Sequence, residues 1–281
     1  MKTSIIIVTY NGENYIKNCL DSILKQNSQN FEVIIVDNKS NDKTLELVKD
    51  FQKKSKKIYL IKNNENLGFS KSNNIGIKFA LEKKADYVLL LNQDTVVDKK
   101  LISSGIKYFR LLKDAGAFSP KVLIKNNKII WWIGTKVFTL SDLFKNLKLG
   151  VSVHVDKEKE DYPIKEPIEV EAVSGCSLFI KKDVIEKVGL LDEDFFMYGE
   201  DMDYSIRLKK TGYKLYVIPE TVVLHDVGLE SFSLKKNFKK YKVYIKSSMQ
   251  VINKDFSLGY KIVWLLRLPF SLMYELFRRL K

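Results

Sequence analysis

Four predominantly apolar runs, at residues 4–9, 31–36, 58–61 and 87–91, alternate in the first hundred residues with segments patterned as amphipathic helices. Few folds accept that alternation. The spacing predicts helices over 13–26, 42–53, 70–83 and 101–112. In the first, Tyr15, Ile16, Cys19, Leu20, Ile23 and Leu24 make one stripe; in the second, Leu45, Val48 and Phe51 face inward, with Asn41 or Asp42 as cap. Ile75, Phe79 and Leu81 are the apolar side of the third. Strands apolar on both faces and separated by helices form a parallel sheet covered on both sides. The expected class is therefore α/β, with a Rossmann-like, mostly parallel sheet.

Ligands of such sheets bind beyond the carboxyl ends of the strands. Thr9, Asp37 and Asp94 all fall there. The first strand-to-helix turn reads Thr9-Tyr10-Asn11-Gly12-Glu13, which is neither GxGxxG nor GxxxxGK. A nicotinamide dehydrogenase and a P-loop NTPase are disfavoured, and a nucleotide bound here needs its phosphates neutralised another way, for which a divalent metal is the usual solution. Asp94, two residues after Asn92, can coordinate Mg²⁺ or Mn²⁺ or can cap a turn. Asp37 can hydrogen-bond a base or ribose, or serve its own turn.

The second half is less regular. Residues 115–170 read as mixed strands with a mobile charged loop at 156–161, and Trp131-Trp132 either lines an acceptor site or fills the core. A strand over 169–181 is interrupted at Ser174-Gly175; helices at 183–188 and 200–210 and strands at 213–218 and 221–225 follow. Glu200, Asp201 and Asp203 open the second of these helices, after Phe195-Phe196-Met197-Tyr198-Gly199. The helix dipole favours each acid there by roughly 0.3–1 kcal/mol. Three together, beside aromatic residues, also raise one carboxylate toward the pKa of a general base. His225 ends a strand, as a structural residue or as a ligand for a metal such as Mn²⁺; His154 has no assigned role.

The chain has 281 residues and a net charge of +14, of which residues 232–281 supply +10. That tail is helical in pattern, basic, aromatic and aliphatic, with Pro269 expected to kink or split its second half. It suits an anionic membrane surface first and nucleic acid second. Cys19 and Cys176 read as buried free thiols of a reducing compartment. The N-terminal apolar run is too short for a signal peptide, and no segment reaches a membrane span. The expected domains are 1–231, with halves 1–114 and 115–231, and a tail over 232–281.

Taken in order, Val8-Thr9-Tyr10-Asn11, Val36-Asp37-Asn38, Asn66-Leu67-Gly68-Phe69, Asn73-Asn74-Ile75-Gly76, Leu91-Asn92-Gln93-Asp94, Gly175-Cys176, Phe195 through Asp203, and His225 with Gly228 and Ser231 form a specific set. The chain resembles the inverting nucleotide-sugar glycosyltransferases of family 2, with the GT-A fold. Within them it looks most like rhamnosyltransferases of bacterial surface polysaccharides. The resemblance implies that Thr9, Tyr10, Asn11 and Asp37 lie at the donor's base and ribose. Gly68, Phe69 and Asn73 would line the nucleotide pocket beside Asn92 and Gln93. Asp94 and His225 would hold the metal, and Asp201 would be the base. Glu200 and Asp203 would position the acceptor or orient Asp201. The metal motif carries an amide, Asn92, where the wider superfamily has aspartate, which implies weaker metal binding. The Gln-x-x-Arg-Trp pattern of processive synthases is absent, so one sugar is expected per event.

The expected reaction moves a sugar, rhamnose favoured, from a dTDP- or UDP-sugar to a lipid-linked saccharide. The expected location is the cytoplasmic face of the cell membrane, peripherally bound through 232–281. A sugar nucleotidyltransferase would consume a nucleoside triphosphate and ordinarily needs a glycine-rich loop after the first strand. A non-catalytic membrane or nucleic-acid binding module would bind RNA with a steep salt slope and no nucleotide preference.

Overall fold

The computed structural model describes residues 1–124, 129–145, 151–154, 159–226 and 234–280. The first half runs β1 (Thr3–Thr9), α1 (Ile16–Leu24), β2 (Phe31–Asp37), α2 (Thr44–Lys54), β3 (Ile58–Lys62), α3 (Gly68–Glu82), β4 (Tyr87–Leu91), β5 (Thr95–Val97) and α4 (Leu101–Leu111). The second runs β6 (Ala115–Ile124), β7 (Ile129–Trp132), β8 (Thr135–Val137), α5 (Leu140–Lys145), β9 (Ser152–His154), β10 (Ile168–Val170), β11 (Ser177–Lys181), α6 (Lys182–Val188), α7 (Glu200–Lys210), β12 (Lys214–His225), α8 (Leu234–Asp255) and α9 (Leu258–Leu280).

Ten strands share one sheet, ordered β10-β12-β6-β11-β4-β1-β2-β3, with β5 on β12 and β7 on β6. β1 to β4 pair in parallel. β11 runs against both β4 and β6, so the sheet is mixed rather than mostly parallel. Side chains alternate across it. Ile5 and Ile7 meet α1, α2 and α4 on one face, and Ile6 meets α3, α6 and α7 on the other.

Several expectations need correction. Within the region read as mixed strands, residues 115–124 form one ten-residue, almost wholly buried strand, whose bounds the sequence reading did not give. Gly116 and Pro120 hide it in the sequence. Pro120 has no N–H for the ladder, and it stands opposite Ile218, where the partner strand loses register. That partner, β12, is one bulged strand and not two; the break expected at Pro219 is a bulge with Glu220 at φ 69°. The buried face of α3 is Ser70, Ser72, Asn73, Asn74, Ile77 and Ala80, while Ile75, Phe79 and Leu81 are only partly covered. Pro269 does not split α9, which is continuous. Trp132 is buried, its indole Nε1 donating to Thr135 Oγ1 at 2.9 Å. Cys19 and Cys176 are buried and unpaired. Residues 156–158 of the charged loop, and Gly228 and Ser231, lie outside the described residues.

A third apolar cluster joins Phe138, Leu143, Phe195 and Met202 to Val251 and Ile252 of α8 and Tyr260 and Trp264 of α9. The C-terminal helices thus pack directly on the body that carries α7.

Candidate active site

The first wall is the carboxyl edge of β1 and β2. Parallel register sets Thr9 opposite Asp37, and Thr9 Oγ1 donates to Asp37 Oδ1 at 2.8 Å. Ser40 adds its hydroxyl at 2.6 Å and its amide at 2.9 Å. Asp37 is 1% exposed, so its carboxylate chiefly builds the turn that shapes the wall. Asn11, at φ 47°, joins that turn by accepting the Asn41 amide at 2.9 Å.

Gln93 fastens this wall to the next loop. Its Oε1 accepts the Tyr10 amide and its Nε2 donates to the Tyr10 carbonyl, both at 3.1 Å. Only a carboxamide can do both. Gly12 makes the room, since a methyl there would stand 2.2 Å from Gln93 Oε1. Pairing of β5 with β12 sets Thr95 opposite His225, which brings His225 Nε2 to 3.2 Å from Asp94 Oδ1. The Asp226 amide donates to the Asp94 carbonyl at 2.8 Å and fixes the pair. Among the described residues no third His, Cys, Asp or Glu completes a metal cluster. One imidazole nitrogen and one carboxylate fit a divalent ion whose other positions are filled by ligand oxygens and water. They do not fit a closed structural site, which needs four protein ligands.

The opposite wall is α7 and the segment before it. Tyr198 (φ 67°) and Gly199 (φ 88°) are consecutive left-handed residues that swing the chain into the helix. The helix then separates its three acids, because neighbours one and two apart face differently. Asp201 Oδ2 accepts the Gly175 amide at 3.1 Å, and Oδ1 accepts the Met202 amide at 2.8 Å. Burial raises the Asp201 pKa while these N–H groups hold it down. Glu200 is buried, and its Oε2 has no hydrogen-bond partner among the described residues. Burial first, and the Asp201 charge second, push Glu200 up to about 8. Asp203 points elsewhere and accepts Arg207 Nε at 2.8 Å. Arg207 in turn donates to the carbonyls of Val188 and Leu190, so this pair secures the helix.

One dipeptide joins the two acidic loops. Gly175 N–H holds Asp201, and the Cys176 carbonyl accepts the Asn92 amide at 3.0 Å. Asp94 and Asp201 both act electrostatically on the Cys176 thiol, which burial already raises. A methyl on Gly175 would lie 3.5 Å from Asp201 Cβ and 3.6 Å from the Phe69 ring, so Phe69 completes the corner. Gly68, at φ 82°, lets this happen: a methyl there would come within 2.5 Å of the Phe196 carbonyl, which accepts the Phe69 amide at 2.7 Å. Asn73 is turned inward and donates to the Phe69 carbonyl at 3.0 Å.

Sequence reading gave no role to Asn38, Asn63 and Ser72. Asn38 Oδ1 accepts from Ser72 at 2.5 Å and from Asn63 at 2.8 Å, while its amide donates to the Gly68 carbonyl at 3.1 Å. Asn74 likewise pins Leu191 through both the amide and the carbonyl of that residue. Each stands in or beside a motif quoted above, but its partners lie far away in sequence.

Comparison with known proteins identifies the family and the fold. The family model described as Glycosyl transferase family 2 matches residues 4–188. The dTDP-rhamnosyl transferase RfbF of Shigella flexneri is 28% identical over 229 residues, covering 82% of this chain and 70% of that protein. The rhamnosyltransferase WbbL of Escherichia coli K12 is 27% identical over 255 residues, covering 88% and 91%. Among solved structures, the mannosyltransferase PcManGT from Pyrobaculum calidifontis, in complex with GDP-Man and Mn²⁺, superimposes with a TM-score of 0.63 at 16% identity, over 97% of this chain and 73% of that one. A match spanning well over half of the chain, on a mixed sheet with acidic loops at its carboxyl edge, decides the matter: the chain belongs to glycosyl transferase family 2 and is a glycosyltransferase of the GT-A fold.

Proposed function

We propose that this chain transfers one sugar per event, with inversion, from a nucleoside-diphosphate sugar to a lipid-linked glycan acceptor in surface polysaccharide synthesis. Rhamnose is the favoured sugar and thymine or uracil the favoured base, in keeping with the relatives named above. The observation that carries this reading is the Gly175-Cys176 link, which sets Asp201 and the Asp94–His225 pair around one corner.

In this mechanism Asp201 takes the proton of an acceptor hydroxyl as that oxygen bonds the anomeric carbon. On the opposite side the bond from that carbon to the diphosphate oxygen breaks, and its electron pair leaves with the diphosphate. Burial raises both carboxyl groups, Glu200 to about 8; the two N–H groups that Asp201 accepts, and Glu200 lacks, favour the ionised form of Asp201 and suit it to take the proton. Asp94 and His225 would hold the divalent ion, which supplies charge neutralisation to the departing diphosphate. Thr9, Asp37 and Asn11 shape the base and ribose side, and Gly68 and Phe69 the floor.

Thermal stabilisation by UDP, dTDP, GDP and ADP, each with and without Mn²⁺, tests the donor site. Selective stabilisation by dTDP or UDP that requires the ion is expected, and dTDP points to rhamnose. No stabilisation by any of the four would overturn the reading.

A further inference from the structure

α9 is apolar on two opposite faces, and the body uses only one. Tyr260, Trp264, Arg267 and Ser271 are buried on the inner side. The outer side carries Leu258, Ile262, Leu265, Leu266, Phe270 and Met273, with Leu266 70% and Phe270 58% exposed. Between residues 258 and 274, every exposed position of this helix is apolar, aromatic, glycine or proline, and none is charged. At 1.5 Å per residue the stripe runs for about 24 Å. A solvent-facing stripe of that size calls for an occupant.

Charge identifies it. Residues 232–281 carry +10 of the chain's +14, and Lys242 and Lys246 of α8, the helix that precedes α9, are exposed. No helix among the described residues is long and apolar enough to cross a membrane. An uncharged stripe on a basic helical pair fits the interface of an anionic bilayer, with the stripe at the acyl boundary and the lysines among the headgroups.

We infer that the outer face of α9 is a docking surface for a bilayer containing anionic phospholipid. This deepens the reading of a lipid-linked acceptor and rests on it only for its purpose. The seat is rigidly connected to the active site. Ser247 of α8 donates to the Met197 carbonyl at 3.0 Å, and Gln250 donates to the Asp194 carbonyl at 3.1 Å. Lys254 pairs with Asp192. The helix pair that meets the membrane thus holds the segment leading into Asp201, and fixes the cleft relative to the lipid surface.

The test is flotation of the full chain with bare phosphatidylcholine vesicles, with and without phosphatidylglycerol. Wild type is expected to float only with the anionic vesicles. Leu266→Glu with Phe270→Glu should weaken this at least about tenfold, as should Lys242→Glu with Lys246→Glu, while both variants keep the wild-type Tm. Wild type that stays in the soluble fraction, or stripe variants that float unchanged, would overturn the proposal. So would a free protein that is dimeric and becomes monomeric on Leu266→Glu with Phe270→Glu, because the stripe would then face a second copy. Bare lipid carries no saccharide and no nucleotide, so loss of flotation leaves the donor-site reading to its own test.

Discussion

At the residue scale the site depends on neighbouring acids given different surroundings. Asp201 has two amide donors, Glu200 has burial, and Asp203 has an arginine. Asp201→Asn should therefore lower turnover by at least about 10²-fold, the scale of general-base catalysis, with nucleoside-diphosphate binding intact; near-normal turnover would sink the assignment. Glu200 predicts a pH effect whose sign follows from its pKa. The unfolded chain releases this proton near 4.5 and the folded protein near 8. The folded state binds more protons across that window, so stability falls as pH rises through it. Glu200→Gln removes the slope, and its Tm should exceed that of wild type by at least about 2 °C at pH 8.5 relative to pH 5. Parallel Tm curves for the two proteins would refute the raised pKa. Asp94→Ala should abolish the Mn²⁺-dependent part of dTDP or UDP stabilisation and leave the metal-free part, as measured by titrating the ion against fixed nucleotide.

At the scale of elements, the start of α3 is where two loops must nearly touch. Gly68→Ala forces a methyl against the Phe196 carbonyl in a left-handed backbone, a cost of about 1–3 kcal/mol. The expected fall in Tm is roughly 2–12 °C, and an unchanged Tm would show that the Phe196 segment gives way freely. This position was legible through the family motif Asn66-Leu67-Gly68-Phe69, although the helix was expected to start only at residue 70. So was α7, whose acids and preceding Gly199 mark its first turn, and so were β1 to β4, whose apolar runs need no distant information. β6 was not legible, because Gly116 and Pro120 break its pattern and only the bulge in β12 accommodates them. Nor was the reversal of β11, since period-two patterning carries no strand direction. The polar inner face of α3 escaped for a related reason. Asn74 and Ser72 read as solvated until Leu191 and Asn38 arrive from elsewhere in the chain. The acids of the site were visible as residues; the Gly175-Cys176 bridge that unites them is a property of the folded sheet.

At the scale of the molecule, the C-terminal helices belong to the core as much as to the surface. Val251, Ile252, Tyr260 and Trp264 are buried against Phe195, Met202 and Phe138. At about 1.5–3 kcal/mol for each buried side chain, these four contribute on the order of 6–12 kcal/mol, an upper estimate comparable to the whole net stability of a domain. Removing residues 232–281 is therefore a poor test of membrane binding, because it uncovers the cluster that supports α7. Substitutions on opposite sides of α9 separate the two roles. Trp264→Ala should cost about 3–5 kcal/mol through the cavity it leaves, lowering Tm by roughly 6–20 °C. Its vesicle flotation below that temperature should be unchanged. Leu266→Glu, two residues along but on the exposed side, should leave Tm within about 1–2 °C of wild type and reduce flotation instead. If both variants moved Tm alike, the outer stripe would be covered in the free protein. If neither moved it, α9 would not be packed against the body, and the link from lipid surface to catalytic helix would be broken at its first contact.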